Sequence, residues 1–226
     1  MKQIFLFAAF IFSVSLLTAS EPEPFKTQWL SSKPEVLTYS STSKQGNGLY
    51  QISFLHSDSL IEIYMNIITT GFTKTVSGTM NADLTPVQSL SKIIVNGQIV
   101  MDTRCNYEKQ RLHITTLMRP FNRVMKNDPE FTGRVFDFSQ SPFVPRALDF
   151  SVRESYSFQM LNPQTNQITP YSLKRFGVEN VKGIDCYKVE SNDFEGRSIL
   201  WIEKGDARRV IRIEQPETGR ISELIL

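Results

Sequence analysis

Few side chains in this sequence have the types and spacing that catalysis needs. There are two histidines, His56 and His113, and two cysteines, Cys105 and Cys186. Neither histidine has a partner at zinc-ligand spacing, and both lie in segments that alternate like β-strands. The cysteines also fall inside predicted strands, not at a helix start that would stabilise a thiolate. These residues indicate ordinary structural positions and not a metal site or a Cys-His pair.

Other catalytic patterns are equally weak. The chain has no G-x-S-x-G nucleophile motif and no phosphate-binding glycine loop. Acidic residues that could act as a pair exist, for example Asp83 or Asp149 with Glu154. Such a pair works only when both groups reach the same substrate, which spacing along the chain does not establish. The sequence therefore predicts a non-enzymatic protein with no cofactor and no metal.

The first twenty residues have the three parts of a secretory signal peptide. Lys2 is the positive region, residues 4–17 are almost entirely apolar, and Thr18, Ala19 and Ser20 are small residues suited to cleavage. The apolar stretch is shorter than the ~20 residues that a transmembrane helix needs. We expect cleavage at Ala19 or Ser20 and no transmembrane segment afterwards. The alternative is an uncleaved N-terminal anchor.

Charge and composition exclude some partners. The chain has 25 Lys+Arg against 23 Asp+Glu, a net charge of +2, and one of these lysines lies in the expected leader. Because nucleic-acid-binding proteins present a basic stripe, this balance argues against a nucleic-acid partner. Aromatic residues make up 11% of the chain, and most are Phe. That many rings must either pack a core or line a cavity.

The chain divides into a signal peptide (1–20), a tether rich in Pro, Glu and Ser (21–34) and a single β domain (35–226). Period-two alternation dominates the domain, and short turns such as Asn96-Gly97 separate the alternating runs. Short connections predict sequential antiparallel hairpins. The expected fold is all-β with a short helix. It is a single strongly curved antiparallel sheet, a half-barrel of about eleven strands around a plug loop or helix.

One stretch, residues 119–150, interrupts the alternation with four prolines and six phenylalanines. A long apolar loop in a β domain is usually functional, for example as a lid; the alternative is a plug that only fills the core. Ser141 followed by Pro142 predicts the start of a short helix that ends near Leu148.

If the sheet curves, the alternation places one set of apolar side chains on its concave face. Such a face is either covered by a plug or occupied by an apolar ligand. The candidate ligand-lining residues are Tyr50, Phe54, Ile63, Met65, Met101, Phe136, Phe143, Tyr156, Phe158 and Trp201. The alternative is a fully packed core with no cavity.

Two segments of the C-terminal half carry a family resemblance. In VFDFSQSPFVPRALDF, Asp137 precedes a short helical stretch that contains Arg146. In GVENVKGIDCYKVESNDFEGRSILWIEK, Gly183 precedes a strand and Tyr187 begins a Tyr-Lys-Val-Glu strand. These motifs resemble a widespread family of secreted Gram-negative envelope proteins of unknown function. That family's fold is similar to the LolA-like half-barrel superfamily of periplasmic lipoprotein carriers.

The resemblance implies a curved antiparallel sheet around a short helix and a location in the periplasm. It does not extend to the carriers' transport activity, because a fold does not define a function. Two functions follow as hypotheses. The first is non-enzymatic binding of a lipid or acyl chain in the concave face. The alternative is an envelope interaction or scaffold protein whose partner is another envelope protein.

For the two cysteines, the expected compartment and the expected sheet geometry lead to different predictions. In an oxidising compartment, two cysteines suggest a disulfide. In a sequential meander, however, about three strands would separate Cys105 from Cys186, which places their Cα atoms on the order of 15–20 Å apart. A disulfide needs Cα atoms within about 7 Å. We therefore expect two free, buried thiols.

Overall fold

The computed structural model describes residues 25–27, 29, 33–44, 46–57, 59–162 and 165–226. The expected signal peptide, its cleavage site and much of the expected tether lie outside these residues. No helix in the described part of the chain has the length and apolar character needed to cross a membrane.

The described residues form one sheet of fifteen strands with very little helix. The N-terminal strands are β1 (Glu35–Ser43), β2 (Gly46–Ser57), β3 (Leu60–Thr69), β4 (Phe72–Asn81), β5 (Pro86–Val95), β6 (Gln98–Glu108), β7 (Arg111–Met118) and β8 (Arg123–Asn127). The remaining strands are β9 (Val135–Phe136), β10 (Ser155–Asn162), β11 (Gln167–Val181), β12 (Ile184–Asp193), β13 (Gly196–Glu203), β14 (Val210–Gln215) and β15 (Arg220–Leu224). The predicted β fold with a single sheet is confirmed.

The expected count of about eleven strands is wrong, for a compositional reason. The strands that the alternation does not reveal are β1, β4, β8 and β9. Because β1 and β4 are rich in Ser and Thr, their sequences show little contrast between an apolar and a polar face. The other two, β8 and β9, are short and lie within the Pro-rich stretch 119–150.

The strand order is β8-β7-β6-β5-β4-β3-β2-β1-β15-β14-β13-β12-β11-β10-β9. Strands β1 to β8 form one antiparallel meander and β10 to β15 form another. They are joined by antiparallel pairing of β1 with β15, in which Tyr39 lies opposite Leu224. The fully sequential meander is therefore wrong at this junction, and β9 pairs with β10 in parallel. Hydrogen bonding within the described sheet ends at β8 and at β9, so the sheet is not closed.

The inner face of the sheet is the face that contacts residues 135–150, which we call the plug. On β3, Ile63 and Met65 are each 1% exposed on this face, whereas Tyr64 between them is 49% exposed on the outer face. This contrast is the alternation expected of a strand with one buried side. The plug itself is almost wholly buried, so it forms the second layer of the core.

The plug contains a 3₁₀ turn (Phe138–Gln140) and one short helix, α1 (Val144–Ala147). Asp137 caps the turn, because its side chain accepts a hydrogen bond from the backbone N–H of Ser139. The side-chain Oε1 of Gln140 accepts one in return from the backbone N–H of Asp137, at 2.7 Å. The predicted short helix is present, but its predicted start at Ser141 is wrong, since Ser141 has helical φ and ψ and ends the preceding 3₁₀ turn.

Both cysteines are free and buried, as expected. The structure separates the two cysteines further than the expected meander does. Cys105 on β6 and Cys186 on β12 are separated by β5 to β1 and by β15 to β13. They also lie on opposite faces: Cys105 pairs with Ser89 on the inner face, and Cys186 lies opposite Glu203 on the outer face.

We expect both thiols to react slowly with a thiol reagent at pH 8 in the folded protein. Burial raises the pKa of Cys105 to about 12 and that of Cys186 to about 11, so almost no thiolate is present. After unfolding in denaturant without reductant, two thiols per chain should react. Rapid reaction of the native protein, or fewer than two thiols after unfolding, would contradict the arrangement.

Candidate ligand-binding cavity

The residues considered for catalysis do not converge in the structure. His56 is half-buried on β2, and His113 on β7 is bonded through Nδ1 to Asp128 at 2.9 Å near the surface. Among the described residues, no group of three or more His, Cys, Asp or Glu side chains is placed to hold a metal ion.

The acidic candidates are also dispersed. Asp149 forms an ion pair with Lys26 and accepts hydrogen bonds from Ser151. Burial opposes ionisation of Asp149, but Lys26 and the hydrogen bonds from Ser151 hold its pKa at about 2. Glu154 pairs instead with Arg175, and Asp83 accepts a hydrogen bond from the backbone of its own turn. Each of these candidate carboxylates therefore has a partner other than a second carboxylate.

Arg146 attaches the C-terminal part of the plug to the sheet. Its side chain is 1% exposed, and its two terminal nitrogens bind the carboxylate of Glu35 at 2.8 and 3.1 Å. The same guanidinium donates to the backbone oxygens of Arg208 and Ala207, at 3.0 and 2.7 Å. The ring of Trp29 lies 3.8 Å from its Cζ. A charge this deeply buried is tolerated because every side of it has a partner.

Asp137 attaches the other part of the plug. Besides capping the 3₁₀ turn, its carboxylate accepts hydrogen bonds from Ser89 on β5, at 2.7 Å, and from the hydroxyl of Tyr107 on β6, at 2.5 Å. Burial and the charge of Asp137 together raise the pKa of Tyr107 well above its usual value. The phenol therefore remains a hydrogen-bond donor at any physiological pH.

The two remaining residues of the family resemblance lie away from these attachments. Gly183 occupies the turn between β11 and β12 with a φ of +83°, following Lys182 at +53°. A positive φ at both turn positions favours Gly at the second. Tyr187 is half-buried on β12, and its ring centroid is 6.3 Å from that of Phe150 at the end of the plug.

A cavity of about 120 Å³ lies between the plug and the inner face of the sheet. Its apolar lining residues include Tyr39, Tyr50, Ile52, Met65, Ile67, Phe138, Pro142, Pro145, Leu200, Val210 and Ile213. We call its polar lining residues the polar wall; they include Ser41, Tyr171, Ser191, Asp193, Glu195, Ser198, Gln215, Arg220 and Ser222. The cavity is therefore amphipathic. Residues Gly48, Leu49, Ile68 and Thr69 contribute to its lining from the adjacent ends of β2 and β3.

Charged groups gather where β12 ends and β13 begins. Lys74 on β4 is only 5% exposed, yet it ion-pairs with Glu195 at 3.3 Å and lies 3.8 Å from the centroid of the Phe138 ring. Asp193 accepts a hydrogen bond from the backbone N–H of Glu195, at 2.7 Å. Burial raises the pKa of Asp193 to about 6, since the opposing backbone hydrogen bond and Lys74 do not compensate for lost hydration.

The structure divides the predicted lining residues into four groups. Tyr50 and Met65 line the cavity, and the hydroxyl of Tyr50 donates to the Met65 sulfur at 3.1 Å. Six others pack in the core around the plug without lining the cavity: Phe54, Ile63, Phe136, Phe143, Tyr156 and Phe158. Met101 shares the face of Cys105 but is only half-buried and belongs to none of the core clusters.

Trp201 was expected inside and instead faces outward. Its strand neighbour Leu200 lines the cavity, so alternation directs Trp201 to the outer face. There its ring lies 4.9 Å from Lys188 Nζ and 5.2 Å from Arg212 Cζ, and these side chains bury it. The error arises because residues 198–202 are all buried, whichever face they occupy.

None of the residues of the polar wall was predicted from the sequence. Ser41 and Ser222 come from β1 and β15, and their hydroxyls are 3.0 Å apart. Only the pairing of these two strands places the serines in one wall. A signal was nevertheless present, because Ser191 and Asp193 share a face of β12 with the buried Val189, where further apolar residues would be expected.

Comparisons with known proteins add little. No family model matches the chain, and no curated protein matches it. Among solved structures, the chain is similar to the crystal structure of a DUF1329 family protein from Desulfovibrio piger. The identity is 13%, the match covers 87% of this chain and 85% of that chain, and the TM-score is 0.27. At these values the similarity does not place the chain in that family.

Proposed function

We propose that this protein is a non-enzymatic periplasmic binding protein that holds the apolar part of a lipid or similar ligand against the inner face of its sheet. The observation that carries the proposal is the cavity between the plug and that face. Binding sites for small molecules are concave and mostly apolar, with a few polar groups that orient the ligand. The alternative is an envelope scaffold protein whose inner face is only core; the extensive burial of the plug favours it.

The proposal includes a half-barrel shape like that of the LolA-like carriers. Its support comes from two residues that contact neighbouring positions of the plug. Tyr107 on β6 bonds Asp137, while Phe194, which precedes β13, has its ring centroid 5.3 Å from that of Phe138. In the sheet order β6 and β13 are separated by β5 to β1, β15 and β14, on the order of 40 Å if the sheet were flat. Strong curvature accounts for their meeting at one place.

The decisive experiment is native mass spectrometry of the purified protein. We expect an adduct of lipid mass that organic extraction removes. Ile213→Trp, which fills the cavity from a half-buried position, should abolish the adduct. Val178→Trp is the matched control, because Val178 is 57% exposed and does not line the cavity. Protein that carries no adduct and binds no added amphiphile would favour the scaffold alternative.

Affinity should depend on chain length, up to a limit set by the cavity. A cavity of about 120 Å³ is comparable to an engineered cavity of ~150 Å³ that holds benzene. In a series of alkyl glucosides, each added CH₂ should improve binding by about 0.8 kcal/mol until roughly six to eight carbons are buried. Longer chains should gain nothing further unless the plug moves. Calorimetric titration measures this, and affinities that do not vary with chain length would contradict it.

A further inference from the structure

The cavity presents two opposite charges that the protein does not pair with each other. Asp193 and Arg220 both line it, together with Glu195, which is already paired with Lys74. Among the described residues, no ion pair joins Asp193 or Arg220 to another side chain. Lining charges without partners are the groups that a ligand's own charges would meet.

Their places in the sheet keep the two charges apart. Asp193 ends β12 and Arg220 begins β15, with β13 and β14 between them. Three strand spacings place their Cα atoms on the order of 14 Å apart. The long side chain of Arg220 covers part of this distance, and the two side chains form no ion pair, so a small head group between them could meet both charges.

The two charged side chains suit ligand groups of opposite charge. Asp193 shares a face of β12 with Ser191, and Ser198 lies opposite Ser191 on β13. Arg220 lies near Tyr50, since it is among the charges that act on the pKa of that phenol. A carboxylate suits an ammonium donor, and a guanidinium suits a phosphate or carboxylate.

We propose that the cavity selects a zwitterionic amphiphile of the phosphoethanolamine type, with its ammonium group at Asp193, its anionic group at Arg220 and its apolar chain against Tyr39, Ile52 and Met65. This proposal rests on the proposed function, because it names the ligand class of the same cavity. Every ligand of this class carries an ammonium group and an anionic group on one short head group.

The test uses four probes with the same eight-carbon chain: octylphosphoethanolamine, octylamine, octanoate and octyl glucoside. In calorimetric titrations at low ionic strength, octylphosphoethanolamine should bind more tightly than octyl glucoside. Asp193→Asn should weaken octylphosphoethanolamine and octylamine by roughly 10- to 100-fold and leave octanoate unchanged. Arg220→Gln should weaken octylphosphoethanolamine and octanoate and leave octylamine unchanged.

Two exposed residues outside the cavity supply controls of the same charge change. Asp206→Asn and Arg104→Gln should leave all four affinities unchanged. A pH titration of the unaltered protein serves as the second measurement. Because the raised pKa of Asp193 makes the carboxyl neutral at lower pH, octylamine should bind more weakly at pH 5 than at pH 7.5. The charged and titratable groups that face Asp193 are Lys74, Glu195 and Tyr171.

The outcomes separate this proposal from the proposed function. If none of the four probes binds, the proposed function fails. The proposed zwitterionic ligand class is wrong if octyl glucoside binds as tightly as octylphosphoethanolamine, or if Asp193→Asn leaves the affinity for octylphosphoethanolamine unchanged. In either case the cavity binds only the apolar chain. Tight binding of octanoate alone would also overturn it.

Discussion

Replacing Arg146 by methionine is expected to lower the free energy of unfolding by about 3 kcal/mol. The change leaves the buried carbonyl oxygens of Arg208 and Ala207 without their donors, and it removes the partner of Glu35. It also removes the cation that stacks on Trp29. Urea denaturation followed by circular dichroism measures the loss.

The matched control is Arg197→Met. Arg197 also pairs with a glutamate, Glu190, at 2.7 Å, but its side chain is 48% exposed. Exposed ion pairs contribute about 0–1 kcal/mol, so this variant should lie close to the unaltered protein. A double-mutant cycle with Glu35→Gln then isolates the part of the loss due to the ion pair. Equal effects of the two arginine variants would show that the plug does not depend on Arg146.

Gly78→Ala is expected to destabilise the protein by about 1–3 kcal/mol, because the new methyl group has no space. Gly78 lies on the inner face of β4, and a Cβ built there would be 2.7 Å from the Cβ of Ser139 in the plug. Either the 3₁₀ turn or the strand must move. The same denaturation experiment measures the cost, and thermal melting gives an independent value.

Ser139→Gly provides the complementary change. It removes the side chain that the new methyl group would meet and keeps the backbone N–H that donates to Asp137. The double variant Gly78→Ala with Ser139→Gly should recover most of the lost stability. Gly177→Ala is the control in another strand, since its Cβ would meet only the Lys188 Cβ at 4.0 Å. If Gly78→Ala is as well tolerated as Gly177→Ala, the plug is not packed against β4 as described.

Local patterns predicted much of the sheet but not its overall arrangement. Ile63 and Met65 were placed on the inner face by alternation alone, because a single strand carries enough contrast to assign its faces. The junction of β1 with β15 was not predictable, since pairing between distant segments leaves no trace in either one. The missed strands β1 and β4 show that Ser and Thr mask alternation even where the strand is long.

The candidate site was predictable only in its apolar half. Tyr50 and Met65 were identified because aromatic and thioether side chains on a buried face are distinctive. Asp193 and Arg220 were not, because each is an ordinary turn-proximal charge until the sheet brings them to one cavity. Trp201 was misassigned because burial on the outer face, under Lys188 and Arg212, resembles burial in a core.

The pairing of β1 with β15 has a consequence for the order of events during synthesis. Ser41 and Ser222, which face each other across this pairing, are 181 residues apart in the sequence. At synthesis rates of ~5–20 residues per second, β1 emerges from the ribosome on the order of 10 to 40 s before its partner. Until then the nascent N-terminal meander has a free edge on the side that later becomes the middle of the sheet.

A long unpaired edge is a site of unwanted association with other chains. The edge of β1 is therefore most vulnerable to aggregation until β15 pairs with it. The pairing of β1 with β15 can form only after β15 has been made, and it brings Ser41 and Ser222 together in the polar wall of the cavity. Completion of the cavity therefore depends on a strand made late in synthesis.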